Sequence, residues 1–297
     1  MTFTVQTVAI LFAGASVAGF FGALLGIGGG LFIVPLLVLG FHLPMKTAVA
    51  ASLVAVIATS NAGGSKYVDQ RITNIRLAMF LEVFTTAGAI LGAVLALYLQ
   101  DWVMLLVFAA LLVNMGWSAF STRKLDDKRI ASGSFAAVSQ DAVCRKLDLR
   151  GDYFDQAANR HVEYVVTGAR IGAAVSALAG IASGLLGIGG GILKVSAMNR
   201  HMNIPMKAAV ATSKLMIGIT AAVGSLVFFI AGTIQFGLVG PIAVGTTVGA
   251  TAGTMVMNRL SSALLKKTLT FFMFYMAYSM IAKALQLRFG INLPSFR

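Results

Sequence analysis

The sequence predicts an all-α membrane protein, a polytopic helical bundle built from two repeats, and three observations predict it. Of the 297 residues, 58% are hydrophobic and only 11% are charged, where a soluble domain carries about a quarter charged residues. The charge-free runs are long. Positions 8–41 hold no charged residue and 77–100 hold only Glu82, and roughly 20 apolar residues suffice to cross a bilayer. Third, the segment LLGIGGG at 24–30 returns unchanged at 185–191, an interval of 161.

The same interval relates Pro44 and Lys46 to Pro205 and Lys207, Ala48-Val49-Ala50 to Ala209-Val210-Ala211, and Ser52 to Ser213. Further on it relates Thr85, Thr86, Gly88 and Gly92 to Thr246, Thr247, Gly249 and Gly253. The register never slips. A first transmembrane repeat is therefore expected over 7–125, a cytoplasmic linker or insertion over 126–167 and a second repeat over 168–287, with 8–10 membrane segments in all.

Each element follows from its own stretch of sequence. An apolar segment at about 8–26 runs into the GIGGG break, and a shorter one follows at about 31–41. Pro44 suits the first turn of the next helix, at about 45–65, because the N–H it lacks has no partner there. Helices at about 76–99 and 102–122 complete the first unit. The second unit repeats the plan at about 165–187, 192–202, 206–231, 236–257 and 263–287. Glycines four apart, such as Gly88/Gly92 and Gly245/Gly249/Gly253, offer small-residue faces for close helix packing. The linker between units, with eight Lys/Arg and seven Asp/Glu over 123–163, is expected to be a solvated cytoplasmic connector. Alternation at Val162, Tyr164 and Val166 marks a short strand within it.

The net charge of +13 does not indicate nucleic acid, because Lys and Arg collect in the cytoplasmic loops of membrane proteins and set their orientation. Lys66, Arg71 and Arg76 place the loop before the fourth apolar segment inside; the next loop, with Asp101 alone, lies outside. Arg200 and Lys207 mark an inside end, the uncharged 231–237 loop is outside, and Arg259, Lys266 and Lys267 are inside. Corresponding segments thus face opposite ways, the signature of an inverted repeat. A parallel repeat is the alternative. The first seven residues lack the positive charge of a signal peptide, so the first apolar segment is expected to be retained. Cys144 is the single cysteine, which excludes a disulfide framework and a cysteine-based zinc site.

The two GIGGG segments carry the strongest chemical signal. Non-helical backbone at membrane depth is tolerated only where it is buried in protein or lines a watery cavity. The N–H groups that open the next half-helix form an anion site. Gly28, Gly29, Gly30, Gly189, Gly190 and Gly191 are therefore candidate substrate-binding positions. This is no nucleotide loop, since the GK[ST] ending is missing.

Lys194 stands where the first repeat has Ile33, and Lys214 where it has Leu53. Each introduces a charge at membrane depth, which is costly without a partner or water. Lys46 and Lys207, in the first turn of their helices, sit at the unfavourable end of the helix dipole, and a shared anion would relieve them. Asn61 adds a polar group at the end of the second helix. Glu82, whose counterpart is Ala243, is a candidate either for pairing a lysine or for carrying a coupled proton.

With the doubled LLGIGGG and the continuation P-M-K-x-A-V-A-x-S in both halves, the chain resembles the sulfite exporter TauE/SafE family of membrane transporters. Val34-Pro35 fits that family's G-G-G-x-x-x-V-P pattern, whereas Lys194-Val195-Ser196 departs from it. The resemblance implies outward transport of a small sulfur-containing anion, such as sulfite or an organosulfonate, without a cofactor. It also implies a multi-pass protein of the bacterial inner membrane. The expected partners are a small anionic substrate and the lipid bilayer, with a homodimer left open.

A secondary transporter working by alternating access around paired Gly-rich breaks explains the duplication and the intramembrane lysines. An anion channel or a non-transporting membrane subunit is the alternative. An intramembrane enzyme would need a nucleophile beside a base, or a ligand set for a metal. Glu82 is isolated and no His-x-x-His spacing exists, so no catalytic or metal-binding residue is expected.

Overall fold

The computed structural model describes residues 5–25, 28–119, 135, 138–155, 160–256 and 262–291. Gly26 and Ile27 of the first break, Arg259 and the predicted linker boundary at 126 lie outside the described residues, as do the side chains of Ser65, Lys66, Lys266 and Lys267. The first half comprises α1 (Val5–Leu25), α2 (Gly30–Pro35, continued by a π-helical stretch over Leu36–Gly40), α3 (Met45–Asp69), α4 (Ile75–Tyr98) and α5 (Asp101–Ala119). A small unit follows, with α6 (Ala142–Lys146), β1 (Arg150–Asp155) and β2 (Arg160–Val165). The second half comprises α7 (Ala169–Leu186), α8 (Gly191–His201), α9 (Met206–Ile230), α10 (Phe236–Val256) and α11 (Ser262–Phe289). Among the described residues, five helices are long and apolar enough to cross a membrane: α1, α4, α7, α9 and α10.

The packing is inside-out relative to a soluble bundle. On α4 the outward stripe is apolar, with Met79, Val83, Leu91 and Leu95 exposed, while Glu82, Thr85, Gly88, Ala89 and Gly92 face inward. A helix whose solvent-facing side is apolar has lipid as its solvent. Its inward face is small because it must let a neighbouring backbone approach closely. Thr85 and Ala89 of α4 lie against Gly180 and Gly184 of α7, so the two helices run parallel. In the same manner Phe12, Ser16 and Phe20 of α1 lie against Gly245, Gly249 and Gly253 of α10.

Those two pairs exchange partners between halves, since α7 is the counterpart of α1 and α10 that of α4. Two other counterpart pairs pack directly on each other. Along α3 and α9, Leu53 meets Gly224, Ser60 meets Gly218 and Gly64 meets the backbone of Lys214, so these helices run antiparallel. On α5 and α11, Trp102 meets Arg288 and Gly116 meets Phe274, again antiparallel. Local backbone detail recurs too. His42 and Asn203, 161 apart, both adopt a left-handed conformation (φ 53° and 57°). The turns around them are closed by matching bonds of 3.1 Å, Leu43 N–H to Leu37 O and Ile204 N–H to Met198 O.

The second broken segment begins and ends on one face, where the Thr167 N–H just before α7 donates to Met202 O just after α8 at 3.2 Å. On that face the linker is docked rather than serving as a solvated connector. Tyr153, Val162, Tyr164 and Val166, the apolar side of the antiparallel β1–β2 hairpin, pack with Leu77 and Leu81 of α4 and with Met198, Met202 and Ile204 of the second half. The alternation noticed at Val162 and Tyr164 therefore belongs to β2, and β1 was missed because RGDYFD shows little periodicity.

Asn74 joins the parts. Its Oδ1 caps α4 by accepting from Leu77 N–H (3.0 Å), its N–H donates to Thr212 Oγ1 (3.0 Å), and its Nδ2 donates to Arg150 O (3.2 Å). The face so assembled holds the loops before α4 and before α9.

Backbone conformation distinguishes the glycines of the breaks. Gly28, Gly189 and Gly190 are left-handed, at φ 76°, 75° and 65°. Gly190 also caps α8, and a Cβ there would stand 2.6 Å from the Ala179 carbonyl oxygen. Gly29, its counterpart, has φ −57°, and its nearest added contact is Ile33 Cδ1 at 3.3 Å. Gly190→Val is therefore expected to lower the melting temperature in detergent far more than Gly29→Val, by at least the ~1–2 kcal/mol of left-handed strain. Equal melting temperatures would contradict this geometry.

Cys144 is fully buried in the linker unit. Burial, together with the neighbouring Asp141 carboxylate, pushes its thiol up to about 12. A free thiol ionises near pH 8.5, and only the thiolate reacts. Raising the pH from 7 to 9 should therefore leave Cys144 unlabelled by a maleimide in the native protein, with full labelling after denaturation. Rapid native labelling at pH 8 would show that the hairpin does not hold this packing.

Candidate functional site

The antiparallel crossing of α3 and α9 brings the two breaks together. Val56 and Ile217, counterparts at mid-helix, each stand against both Gly28 and Gly189. A Cβ on Gly30 would collide with the Gly187 carbonyl oxygen, so the breaks touch backbone to backbone. Carbonyl groups freed there are taken up by counterpart serines. Ser52 Oγ donates to Gly187 O at 2.8 Å, and Ser213 Oγ approaches Gly191 O at 3.3 Å. Non-helical backbone in an apolar setting requires such partners.

On the side of the crossing toward the hairpin-bearing face lies a small cavity of about 10 Å³, bordered by Gly22, Gly28, Thr59, Ser60, Lys214 and Ile217. Lys214 is 7% exposed. Its ammonium sits 4.7 Å from the centroid of the Tyr67 ring, and among the described residues it has neither a carboxylate nor a hydrogen-bond acceptor. A ring face offsets part of the cost of burying a cation but does not neutralise it. The hydroxyl groups of Thr59 and Ser60 border the same space. A second small space of about 10 Å³ touches the other break at Gly190 and Gly191 and is otherwise lined by apolar residues such as Leu111, Met115 and Leu193.

Lys194 has different surroundings from Lys214, although the sequence presents the two alike. It is 0% exposed. Its ammonium donates to Thr220 Oγ1 at 2.8 Å and stands 3.9 Å from Glu82 Oε2. Thr220 donates in turn to Glu82 Oε1 at 2.7 Å, and Thr86 donates to the same oxygen at 3.2 Å. Cutting one member of such a buried pair leaves the other uncompensated, at a cost of about 3–5 kcal/mol. Thr220 was not singled out from the sequence. The available signal was its counterpart Thr59, a second threonine at the same point of an apolar helix.

The structure does not bring Lys46 and Lys207 together. Lys46 reaches the last turn of α4 and donates to Leu97 O at 2.6 Å, the favourable end of that helix's dipole. The N-terminus of its own helix is served by Asp101, which accepts from Met45 N–H at 3.0 Å. Lys207 is half exposed and pairs with Asp155 of β1 at 2.6 Å. Asn61 is exposed at the edge of the crossing. Gly29 packs against Gly22, Gly30 meets Gly187 where the breaks touch, Gly189 stands against Val56 and Ile217, and Gly190 and Gly191 face Ala179 and Ile217 of their own half. Among the described residues no group of His, Cys, Asp or Glu is arranged to hold a metal.

Comparison with known proteins agrees with this architecture. The family model of the sulfite exporter TauE/SafE matches residues 11–280. The chain is 23% identical over 253 residues to "Probable membrane transporter protein YunE" of Bacillus subtilis, covering 83% of this chain and 87% of that one. It is 26% identical over 262 residues to a "Probable membrane transporter protein" of Xylella fastidiosa, covering 88% of each. A third relative, "Probable membrane transporter protein YdhB" of Bacillus subtilis, is 23% identical over 261 residues, 88% of this chain and 93% of its own. No solved structure matches the chain. A polytopic apolar bundle matched over nearly its whole length by one family model belongs to that family: the chain is a member of the sulfite exporter TauE/SafE family of multi-pass membrane transporters.

Proposed function

We propose that this transporter carries a small sulfur oxyanion, such as sulfite or an organosulfonate, and that it binds the anion in the cavity beside Lys214. One observation carries the reading: a nine-tenths buried ammonium without a counter-charge among the described residues borders a cavity at a helix break. An anion there would supply the missing charge. The ammonium offers three donors and the Ser60 hydroxyl one more, enough for the three oxygens of a sulfite or sulfonate group, while the Thr59 hydroxyl donates to Val56 O at 3.1 Å. Gly28 keeps the wall beside them free of a side chain.

The two halves are read as inverted repeats in the plasma membrane of a bacterium. The antiparallel course of the counterpart pairs α3–α9 and α5–α11 supports this, since a parallel repeat would set counterparts side by side in the same direction. Alternating access then consists of opening one half-site as the other closes about the touching breaks. Net direction then follows the anion's gradient together with that of any ion bound with it.

Lys214→Met tests the site, because it removes the charge and keeps most of the apolar volume. Anion affinity, measured by thermal shift or by saturable flux of sulfite and ethanesulfonate in proteoliposomes, is expected to fall more than about tenfold, equivalent to about 1.4 kcal/mol. The ligand-free melting temperature should hold or rise, since a buried charge lacking a partner is lost. Unchanged affinity in this variant would remove Lys214 from the site. Flux that never saturates would indicate a channel.

A further inference from the structure

We propose that Glu82 is a proton-binding site, taking the proton on Oε2, and that this proton is bound together with the transported anion; the inference rests on the anion-transport reading above. The two carboxylate oxygens are unequal. Oε1 accepts from Thr220 and Thr86, whereas Oε2 is buried with no hydrogen-bond donor. A tight ammonium–carboxylate pair would bring nitrogen to about 2.7–2.9 Å. Here Lys194 stays 3.9 Å from Oε2 and spends its short bond on the Thr220 hydroxyl. That hydroxyl receives from Lys194, and its single proton has two acceptors within reach, Oε1 at 2.7 Å and the Met216 carbonyl at 2.8 Å. The arrangement therefore suits both states of the acid: ionised, with Lys194 opposite, or neutral, with Oε1 as the carbonyl oxygen and the proton on Oε2.

Duplication points the same way. Thr220 has a counterpart in Thr59, but Glu82 and Lys194 correspond to Ala243 and Ile33. The charged pair has thus been added to one half only, while the hydroxyl it uses is common to both. Packing alone explains Ala and Ile at these places and gives no reason for two buried charges.

The charges around Glu82 can be enumerated among the described residues. On α4 itself the only other charged group is Arg76, at the helix start and paired with Asp148. From α7 there is only Arg170, exposed at its first turn. Lys194 comes from α8, whose other basic residues, Arg200 and His201, are exposed in its last turn. From α9 come Lys207, held by Asp155, and Lys214 in the cavity. With Glu82 ionised, the pair with Lys194 is neutral. With Glu82 protonated, the cluster gains one positive charge in the same apolar core as Lys214. Such a charge favours arrival of an anion, and by reciprocity the anion favours the proton. Proton and anion then travel together, and one proton with one monoanion moves no net charge.

Ethanesulfonate is the suitable probe, because it stays ionised throughout the working pH range. In proteoliposomes holding the wild type, a pH gradient should drive its accumulation toward the alkaline side by about tenfold per unit at equilibrium, while a potassium-diffusion potential should have little effect. Glu82→Gln mimics the protonated acid. It should keep saturable ethanesulfonate exchange, lose the response to the pH gradient and become sensitive to membrane potential. Should this variant fail to fold, the double variant Glu82→Gln with Lys194→Met removes both charges and should restore folding with the same uncoupled exchange. A wild type with saturable exchange indifferent to the pH gradient would overturn the inference and leave the anion reading standing. So would pH-gradient coupling that persists in either variant. Absence of any saturable exchange in the wild type would overturn both.

Discussion

The contact between the two broken helices is the constraint on which the rest of the structure depends. Chain that leaves the helix at membrane depth exposes N–H and C=O groups where no water can serve them. The breaks answer this need partly within and partly across the halves. Ser213 approaches Gly191 O and Ser52 approaches Gly30 O within their own halves, while Gly30 lies on the Gly187 carbonyl and Ser52 donates to Gly187 O across them. The antiparallel crossing of α3 and α9 is the scaffold for that contact, because it carries Val56 and Ile217 to the same point from opposite directions. The small faces that let α1 lie on α10 and α4 on α7 then close the bundle around it.

Charge is distributed with the same economy. Each of four lysines at or near membrane depth meets a different solution. Lys46 finishes the carbonyl end of a neighbouring helix, Lys207 binds the docked hairpin, and Lys194 is held by Glu82 through a shared threonine. Lys214 alone among them has only an aromatic face, and it alone borders the cavity at the crossing. A buried cation without a counter-ion is unfavourable in isolation, so its persistence fits a site completed by a ligand. Asymmetry between the halves thus places a buried cation beside the cavity on the hairpin side.

Much of the fold was legible because lipid imposes a simple rule on sequence. Charge-free runs marked the helices, and their ends fall within a few residues of those observed; α3, expected to end near 65, runs on to Asp69. The GIGGG segments marked the breaks, and the left-handed conformations at Gly28, Gly189 and Gly190 explain why glycine was required there. What stayed hidden was tertiary. Spacing along a helix places Lys207 and Lys214 on one face but cannot say that one meets Asp155 and the other a cavity. Lys194 and Lys214 look alike in sequence because both replace an aliphatic counterpart, and only packing sets Glu82 beside the first. Of the hairpin only β2 was marked by alternation, and its docking was not legible because its apolar face is matched to helices far away in the chain.

The central claim is that the buried cation at Lys214, rather than the pair at Lys194, receives the anion. The most direct measurement is a structure of the wild-type protein with a selenium-containing oxyanion, selenite in place of sulfite, located by its anomalous scattering. The account predicts one peak in the cavity bordered by Gly28, Thr59 and Ser60, within hydrogen-bond distance of the Lys214 ammonium and absent in Lys214→Met. A peak beside Lys194 with Glu82 displaced, or one that persists unchanged in Lys214→Met, would contradict it.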